Sequence, residues 1–207
     1  MPAVVQILDY GSGNLFSIKD ALSRVSKKIS VKVSSRYKED SIDALVLPGV
    51  GSFTSAQKVL GNHRDSILSD VKYGMPLLGV CLGMQLLFEQ SEEGSGDGLG
   101  IFKGNVVKFR PEKDLKVPHM GWNTLSLTDG SKFCKGLSKS EWVYYVHSYF
   151  PQPKDERIVK AWTGYGRQKF PAIIAKGNVF GTQFHPEKSS KAGSVLVTNF
   201  AGIVSSR

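Results

Sequence analysis

Cys81 stands in Pro76-Leu77-Leu78-Gly79-Val80-Cys81-Leu82-Gly83-Met84-Gln85, where an apolar run stops at a cysteine set between glycines. The pattern predicts a short buried strand over Leu77 to Val80 and the first turns of a helix over Met84 to Glu89. A chain that turns so sharply between strand and helix presents the turning side chain as a nucleophile. Gly79 and Gly83 lack the side chains that would block the bend. At a helix N-terminus the positive end of the dipole favours a negatively charged sulfur. The N–H of Leu82 then points to where an oxyanion would form. A buried cysteine can instead pack as a small hydrophobe, but Gly-x-Cys-x-Gly after a strand favours the nucleophile.

A nucleophilic cysteine needs a base. His185 lies in Val179-Phe180-Gly181-Thr182-Gln183-Phe184-His185-Pro186-Glu187, at the end of a second strand-like run that Pro186 terminates. The C-terminal ends of strands are where open α/β sheets collect their chemistry. Glu187, two residues on, can fix the imidazole in one tautomer, which completes a Cys81–His185–Glu187 triad. His147, after the aromatic run Val143-Tyr144-Tyr145-Val146, is the competing base, but it has no carboxylate two or three residues away. His63 reads as a solvated helix start, and His119 sits in a loop or edge segment without an assigned role. Cys134 has no elbow and reads as structural or surface.

These residues carry a resemblance. Gly79-Val80-Cys81-Leu82-Gly83-Met84-Gln85 and Phe184-His185-Pro186-Glu187 resemble the two signatures of class I, triad-type glutamine amidotransferases. Leu45-Val46-Leu47-Pro48-Gly49-Val50-Gly51-Ser52-Phe53 is similar to the family's oxyanion loop, whose glycines let backbone N–H groups turn toward a ligand. The resemblance implies a flavodoxin-like α/β fold and hydrolysis of glutamine through a glutamyl thioester on Cys81. It places Val50 and Leu82 at the oxyanion hole. Gly49, Gly51, Gln85, Glu93, His147, Ser148 and Tyr149 then bind the substrate, with Glu93 near the glutamine amino group. Four features look like one branch, which feeds ammonia to a (β/α)8-barrel cyclase in histidine biosynthesis. They are Asp9-Tyr10-Gly11-Ser12-Gly13-Asn14, the Pro-Gly-Val-Gly form of the loop, the pair His119-Met120-Gly121-Trp122-Asn123 and Val146-His147-Ser148-Tyr149, and Lys188-Ser189-Ser190. In that branch Asn14, Trp122 and Lys188 would face the cyclase partner. A free-standing cysteine hydrolase, a glutaminase serving pyridoxal phosphate synthesis, and a paralogue with an inert Cys81 remain open alternatives.

The elements that must position these groups alternate. Val4 to Leu8 reads as a strand, Leu15 to Val25 as an amphipathic helix, Ile29 to Val33 and Ala44 to Leu47 as strands, and Arg64 to Tyr73 as a helix. Such alternation predicts an α/β fold, a mostly parallel sheet flanked by helices. Between Gly104 and Phe150 aromatic and β-branched runs follow closely, which predicts an added antiparallel layer. Ser91 to Gly100 reads as a loop, with Ser91-Glu92-Glu93 a solvated helix end, and Ser189 to Ile203 as the closing helix. Gly11-Ser12-Gly13-Asn14 lacks the lysine of phosphate loops and reads as a tight turn.

The 207 residues suit a single domain spanning 1–207, too short to hold a synthase as well. The net charge of +9 comes from lysines scattered along the chain, with no dense basic run or zinc-finger spacing, so no nucleic-acid role is expected. No histidine, cysteine and carboxylate cluster has metal-ligand spacing, so neither metal nor cofactor is expected. Two cysteines fit a reducing compartment. The N-terminal stretch reads as a strand rather than a signal peptide, and no apolar run approaches membrane-spanning length, so a cytoplasmic protein is expected.

Overall fold

The computed structural model describes residues 1–11, 15–49, 51–113, 115–128 and 130–206. Strands β1 (Ala3–Leu8), β2 (Ile29–Ser34), β3 (Ala44–Leu47) and β4 (Leu77–Val80) and helices α1 (Phe16–Val25), α2 (Phe53–Gly61) and α3 (Arg64–Lys72) build the first half. A single helical turn, α4 (Leu82–Gln85), leads to β5 (Gln90–Ser91), β6 (Gly94–Asp97), β7 (Gly104–Lys108), β8 (His119–Leu127), β9 (Ser140–His147) and β10 (Tyr149–Pro153). The chain closes with β11 (Val159–Tyr165), β12 (Gln168–Lys176), β13 (Val179–Thr182) and α5 (Ser190–Ser205).

One nine-stranded sheet has the order β2-β1-β3-β4-β13-β12-β11-β8-β9. From β2 to β13 the neighbours are parallel, and from β13 to β9 they are antiparallel. The antiparallel part is therefore half the sheet, and much of it comes from β11 and β12. A smaller sheet, β10-β7-β5-β6, stands beside it. The Ala-Leu-Val-Leu of β3 and Leu-Leu-Gly-Val of β4 are buried throughout, as continuous apolar runs in a sheet covered on both faces must be. Alternate residues serve opposite layers. Ala44 and Val46 join Ile18, Leu22, Leu196 and Phe200 of α1 and α5, while Leu45 and Leu47 join Phe53, Leu60, Ile67 and Val71 of α2 and α3. Each such aliphatic side chain contributes about 1.5–3 kcal/mol before chain entropy is charged against it.

Three expectations change. The helix after Cys81 is one turn, Leu82–Gln85, and does not reach Glu89. Leu86, Leu87 and Phe88 are all buried, so the run has no polar face. Their carbonyls accept from the N–H groups of Leu99, Phe102 and Gly100 instead of continuing a helical ladder. Residues Ser91 to Gly100 are not a loop throughout, since β5 and β6 form there and Ser91-Glu92-Glu93 is a strand end and turn. Helix α2 is an addition. Its signal was present in Ser52, whose side chain accepts from the Ser55 N–H, and in apolar Phe53, Ala56 and Leu60 on one face.

Candidate active site

Three loops meet at the C-terminal ends of β3, β4 and β13. Because β4 lies between β3 and β13, Cys81 is flanked by the loop after Leu47 on one side and the segment after Thr182 on the other. Cys81 has φ 47° and ψ −105°, a conformation that costs a non-glycine residue about 1–3 kcal/mol and clusters at functional sites. The elbow holds it there. A Cβ on Gly79 would lie 2.5 Å from the Gly83 carbonyl oxygen, and one on Gly83 would run into the Leu47 carbonyl. The Cys81 N–H donates to the Thr182 carbonyl at 2.7 Å, which ties Cys81 to β13.

His185 comes within reach because Gly49 has no side chain. A Cβ there would lie 2.9 Å from the His185 ring and 3.0 Å from Cys81 Cβ. His185 Nδ1 donates to Glu187 Oε1 at 2.8 Å, which leaves Nε2 as the basic atom. The backbone is fixed as well: the His185 N–H donates to the Tyr144 carbonyl, and the Ser189 hydroxyl donates to the His185 carbonyl at 2.7 Å. Burial pushes the His185 pKa down, yet the Cys81 sulfur and the Glu187 carboxylate outweigh it and raise the value to about 10. Nε2 has no partner at hydrogen-bond geometry, so the sulfur acts on it by nearness and charge.

The sulfur faces a cavity of about 240 Å³ lined by Gly49, Gly51, Leu82, Gln85, Glu93, His147, Ser148 and Tyr149, with Pro118 and Val146. Every described residue expected at the oxyanion hole or the substrate site therefore lines this one cavity. Val50 lies outside the described residues. Burial raises the Glu93 pKa against a backbone hydrogen bond at Phe53, and among the described residues no cation pairs with it. A ligand ammonium would stabilise that carboxylate. The sulfur approaches the Val146 carbonyl at 3.7 Å and accepts from Gln183 Nε2 at 3.5 Å. Gln183, fully buried, was not singled out in the sequence, although it sits two residues before His185. Because α4 is a single turn, this direct donor supplements the short dipole behind the sulfur.

Among the described residues His147 has no carboxylate partner. Its Nδ1 is 2.8 Å from the Tyr149 carbonyl and its Nε2 3.2 Å from His119 Nδ1, and burial first, with His119 and His185 also lowering it, brings its pKa to about 3. Cys134 is buried beside Phe133, away from the cavity. Trp122 and Lys188 meet on the surface across Tyr144. The Trp122 ring lies 6.0 Å from it and the Lys188 ammonium 5.9 Å above it. Asn14 lies outside the described residues.

The family model for class-I glutamine amidotransferases matches residues 6–202. The chain belongs to the class-I glutamine amidotransferase family. It is 46% identical to an imidazole glycerol phosphate synthase subunit HisH from Thermosynechococcus vestitus, with 98% of each chain covered. A protein of the same name from Methanocaldococcus jannaschii is 44% identical, over 97% of this chain and 100% of the other. Among solved structures, PurLQS from Thermotoga maritima superposes with a TM-score of 0.74 at 18% identity, covering 98% of this chain and 99% of that one, a likeness of fold. Among the described residues, no helix of this amidotransferase is long and apolar enough to cross a membrane.

Proposed function

We propose that this amidotransferase is the glutaminase subunit of an imidazole glycerol phosphate synthase, one domain over residues 1–207 that works in the reducing cytoplasm. The observation that carries the reading is the 240 Å³ cavity, lined by a strained cysteine and a half-buried glutamate, with a carboxylate-oriented imidazole set behind the cysteine. The relatives' name supplies the synthase. Cys81 attacks the side-chain amide of glutamine, and the Leu82 N–H, with Val50, stabilises the tetrahedral oxyanion. His185 gives a proton to the departing ammonia, then takes one from the water that hydrolyses the thioester to glutamate. Glu93 pairs with the substrate ammonium.

Ammonia passes to a (β/α)8-barrel cyclase, which forms imidazole glycerol phosphate and aminoimidazole carboxamide ribonucleotide. The docking face is the β8–β9 edge. Met120, Trp122 and Trp142 are exposed there, Tyr144 lies between Trp122 and Lys188, and Val146 joins this edge to the cavity. An exposed apolar patch beside a catalytic mouth fits a protein partner. The loop Pro48-Gly49-Val50-Gly51 is the gate, since turning one peptide gains or removes an oxyanion donor worth roughly a hundredfold or more in rate. Steady-state glutamine hydrolysis by the purified chain should be slow, and cyclase with its nucleotide ligand should raise it by at least that factor. Charge reversal at Lys188 should weaken the coupling and leave folding intact. Full activity in the isolated chain would point to a free-standing hydrolase.

A further inference from the structure

His119 takes no part in the chemistry above, yet it is only 3% exposed and its ring is held on both faces. Tyr165 stacks on one side with centroids 4.0 Å apart and Tyr145 on the other at 4.8 Å. Its nitrogens belong to a chain of hydrogen bonds whose directions can be worked out from one end. The Tyr149 carbonyl can only accept, so His147 Nδ1, 2.8 Å away, carries a proton. A neutral His147 then has a bare Nε2, and His119 Nδ1, 3.2 Å away, must donate to it. A neutral His119 has in turn a bare Nε2, which faces Asn123 Nδ2 at 3.3 Å. The Asn123 amide is oriented independently. Its nitrogen donates to the Gly164 carbonyl at 2.9 Å, and its oxygen accepts from the Thr124 N–H at 2.7 Å. Every donor meets an acceptor only when both rings are neutral and both carry their proton on Nδ1. Burial holds both pKa values low, near 4 for His119 and near 3 for His147, in keeping with that arrangement.

The far end of the chain is the substrate wall. His147 ends β9 in the large sheet and Tyr149 begins β10 in the small one, so Ser148 is the joint between the two sheets. The bond from His147 Nδ1 to the Tyr149 carbonyl spans that joint. The same carbonyl accepts from Gln85 Nε2 at 2.8 Å. Gln85 Nε2 is also 3.4 Å from Gln183 Oε1, and Gln183 donates to the Cys81 sulfur. One polar network thus runs from the β11-facing side of β8 to the Cys81 sulfur. The Phe109 N–H, which donates to the Ser148 carbonyl at 3.0 Å, is the other tether of the joint.

We propose that His119 is a positioning residue for the glutamine cavity, acting through His147 to fix the Tyr149 carbonyl and so the Ser148–Tyr149 wall. This rests on the reading of that cavity as the glutamine site. The wall touches substrate before and during the reaction alike, so its loosening raises KM and leaves kcat nearly unchanged. His119→Phe keeps the ring between Tyr145 and Tyr165 but deletes the donor to His147. His119→Asn restores a donor at the Nδ1 position.

The test pairs kinetics with ring-nitrogen spectra. Glutamine hydrolysis by the chain assembled with the cyclase subunit should show KM raised about tenfold in His119→Phe, the worth of roughly one neutral hydrogen bond. Most of that rise should be recovered in His119→Asn. In the histidine-15N-labelled chain alone, wild-type His147 should be the Nδ1–H tautomer, and His119→Phe should mix the two tautomers. If His119→Phe does not fold, Asn123→Ala should shift the same tautomer and raise KM in the same direction. An Nε2–H tautomer at wild-type His147, or wild-type KM in a folded His119→Phe chain, would overturn the proposal. Absence of glutamine hydrolysis by the wild-type complex would instead refute the functional reading, and the spectra would still decide the relay.

Discussion

In the proposed reaction Cys81 and His185 divide the chemistry in a way that substitutions can separate. The sulfur is at a strained elbow against the cavity, while His185 stands behind it, 3% exposed and fixed by Glu187. Cys81→Ala should abolish glutamine hydrolysis, because no other described side chain of the cavity can form the thioester. Cys134→Ala should keep activity, since Cys134 packs beside Phe133 in the core away from the cavity. His185→Asn should cost on the order of 10² to 10⁴ in kcat/KM, the range of general acid–base catalysis. His147→Asn should cost less and chiefly through KM, since that ring holds the wall. Steady-state kinetics of the four variants gives the order, and a larger loss at His147 would exchange the two roles. At this scale the sequence made legible which residues come together. A cysteine between glycines and a His-Pro-Glu stretch declare themselves by residue type. Gln183 and His119 did not, because their roles depend on partners 102 and 28 residues away in the chain, at Cys81 and His147.

The elbow shows what elements add. Strands β3 and β4 were readable because parallel strands buried on both faces are short apolar runs, and α1, α3 and α5 because one face of each is apolar. The short helix after Cys81 was not readable. Leu86, Leu87 and Phe88 favour a helix locally, but their carbonyls are claimed by the N–H groups of residues 99, 100 and 102, a long-range fact. The same holds for β5 and the glycine-rich β6, strands that exist because β7 offers a ladder to β5. The hairpin β11–β12 reverses at Gly166–Arg167, a weak turn signal in sequence terms. Local crowding at the elbow supports a direct prediction. Gly83→Ala would force a methyl against the Leu47 carbonyl and push β3 from β4. The variant should lose about 1–3 kcal/mol in urea denaturation. It should lose activity by a larger factor than its folded fraction explains, because the backbone that moves carries both Gly49 and Cys81. Wild-type stability in Gly83→Ala would mean that the elbow has room the distances deny.

Across the whole molecule, three buried histidines set opposing pH limits on stability. His119 and His147 titrate in the folded chain near 4 and near 3, below the ordinary value of 6.5. The folded state therefore binds fewer protons than the unfolded state in that interval. Their contribution is fully present above about pH 6.5 and is lost as pH falls toward 4 and then 3. His185, raised to about 10, has the opposite sign. Its contribution is fully present below about pH 6.5 and is lost as pH rises through about 10. Stability should thus peak near neutral pH. The rings facing the His119–His147 pair are Tyr145, Tyr165, Phe109 and Phe170, and the charged neighbour is His185, which further opposes protonation of His147. Between pH 6.5 and 4 the loss is at most about 1.4 kcal/mol per histidine per pH unit. Urea denaturation at pH 7 and pH 4.5 should show the wild-type chain weakening on acidification. His119→Phe, which cannot take up the proton, should weaken less over the same interval even if it starts lower. At pH 9.5 the Glu187→Gln chain should lose less than wild type relative to pH 7, because its His185 has no carboxylate to hold the proton. Parallel curves for wild type and His119→Phe on the acid side would show that the buried pair does not set the acid limit.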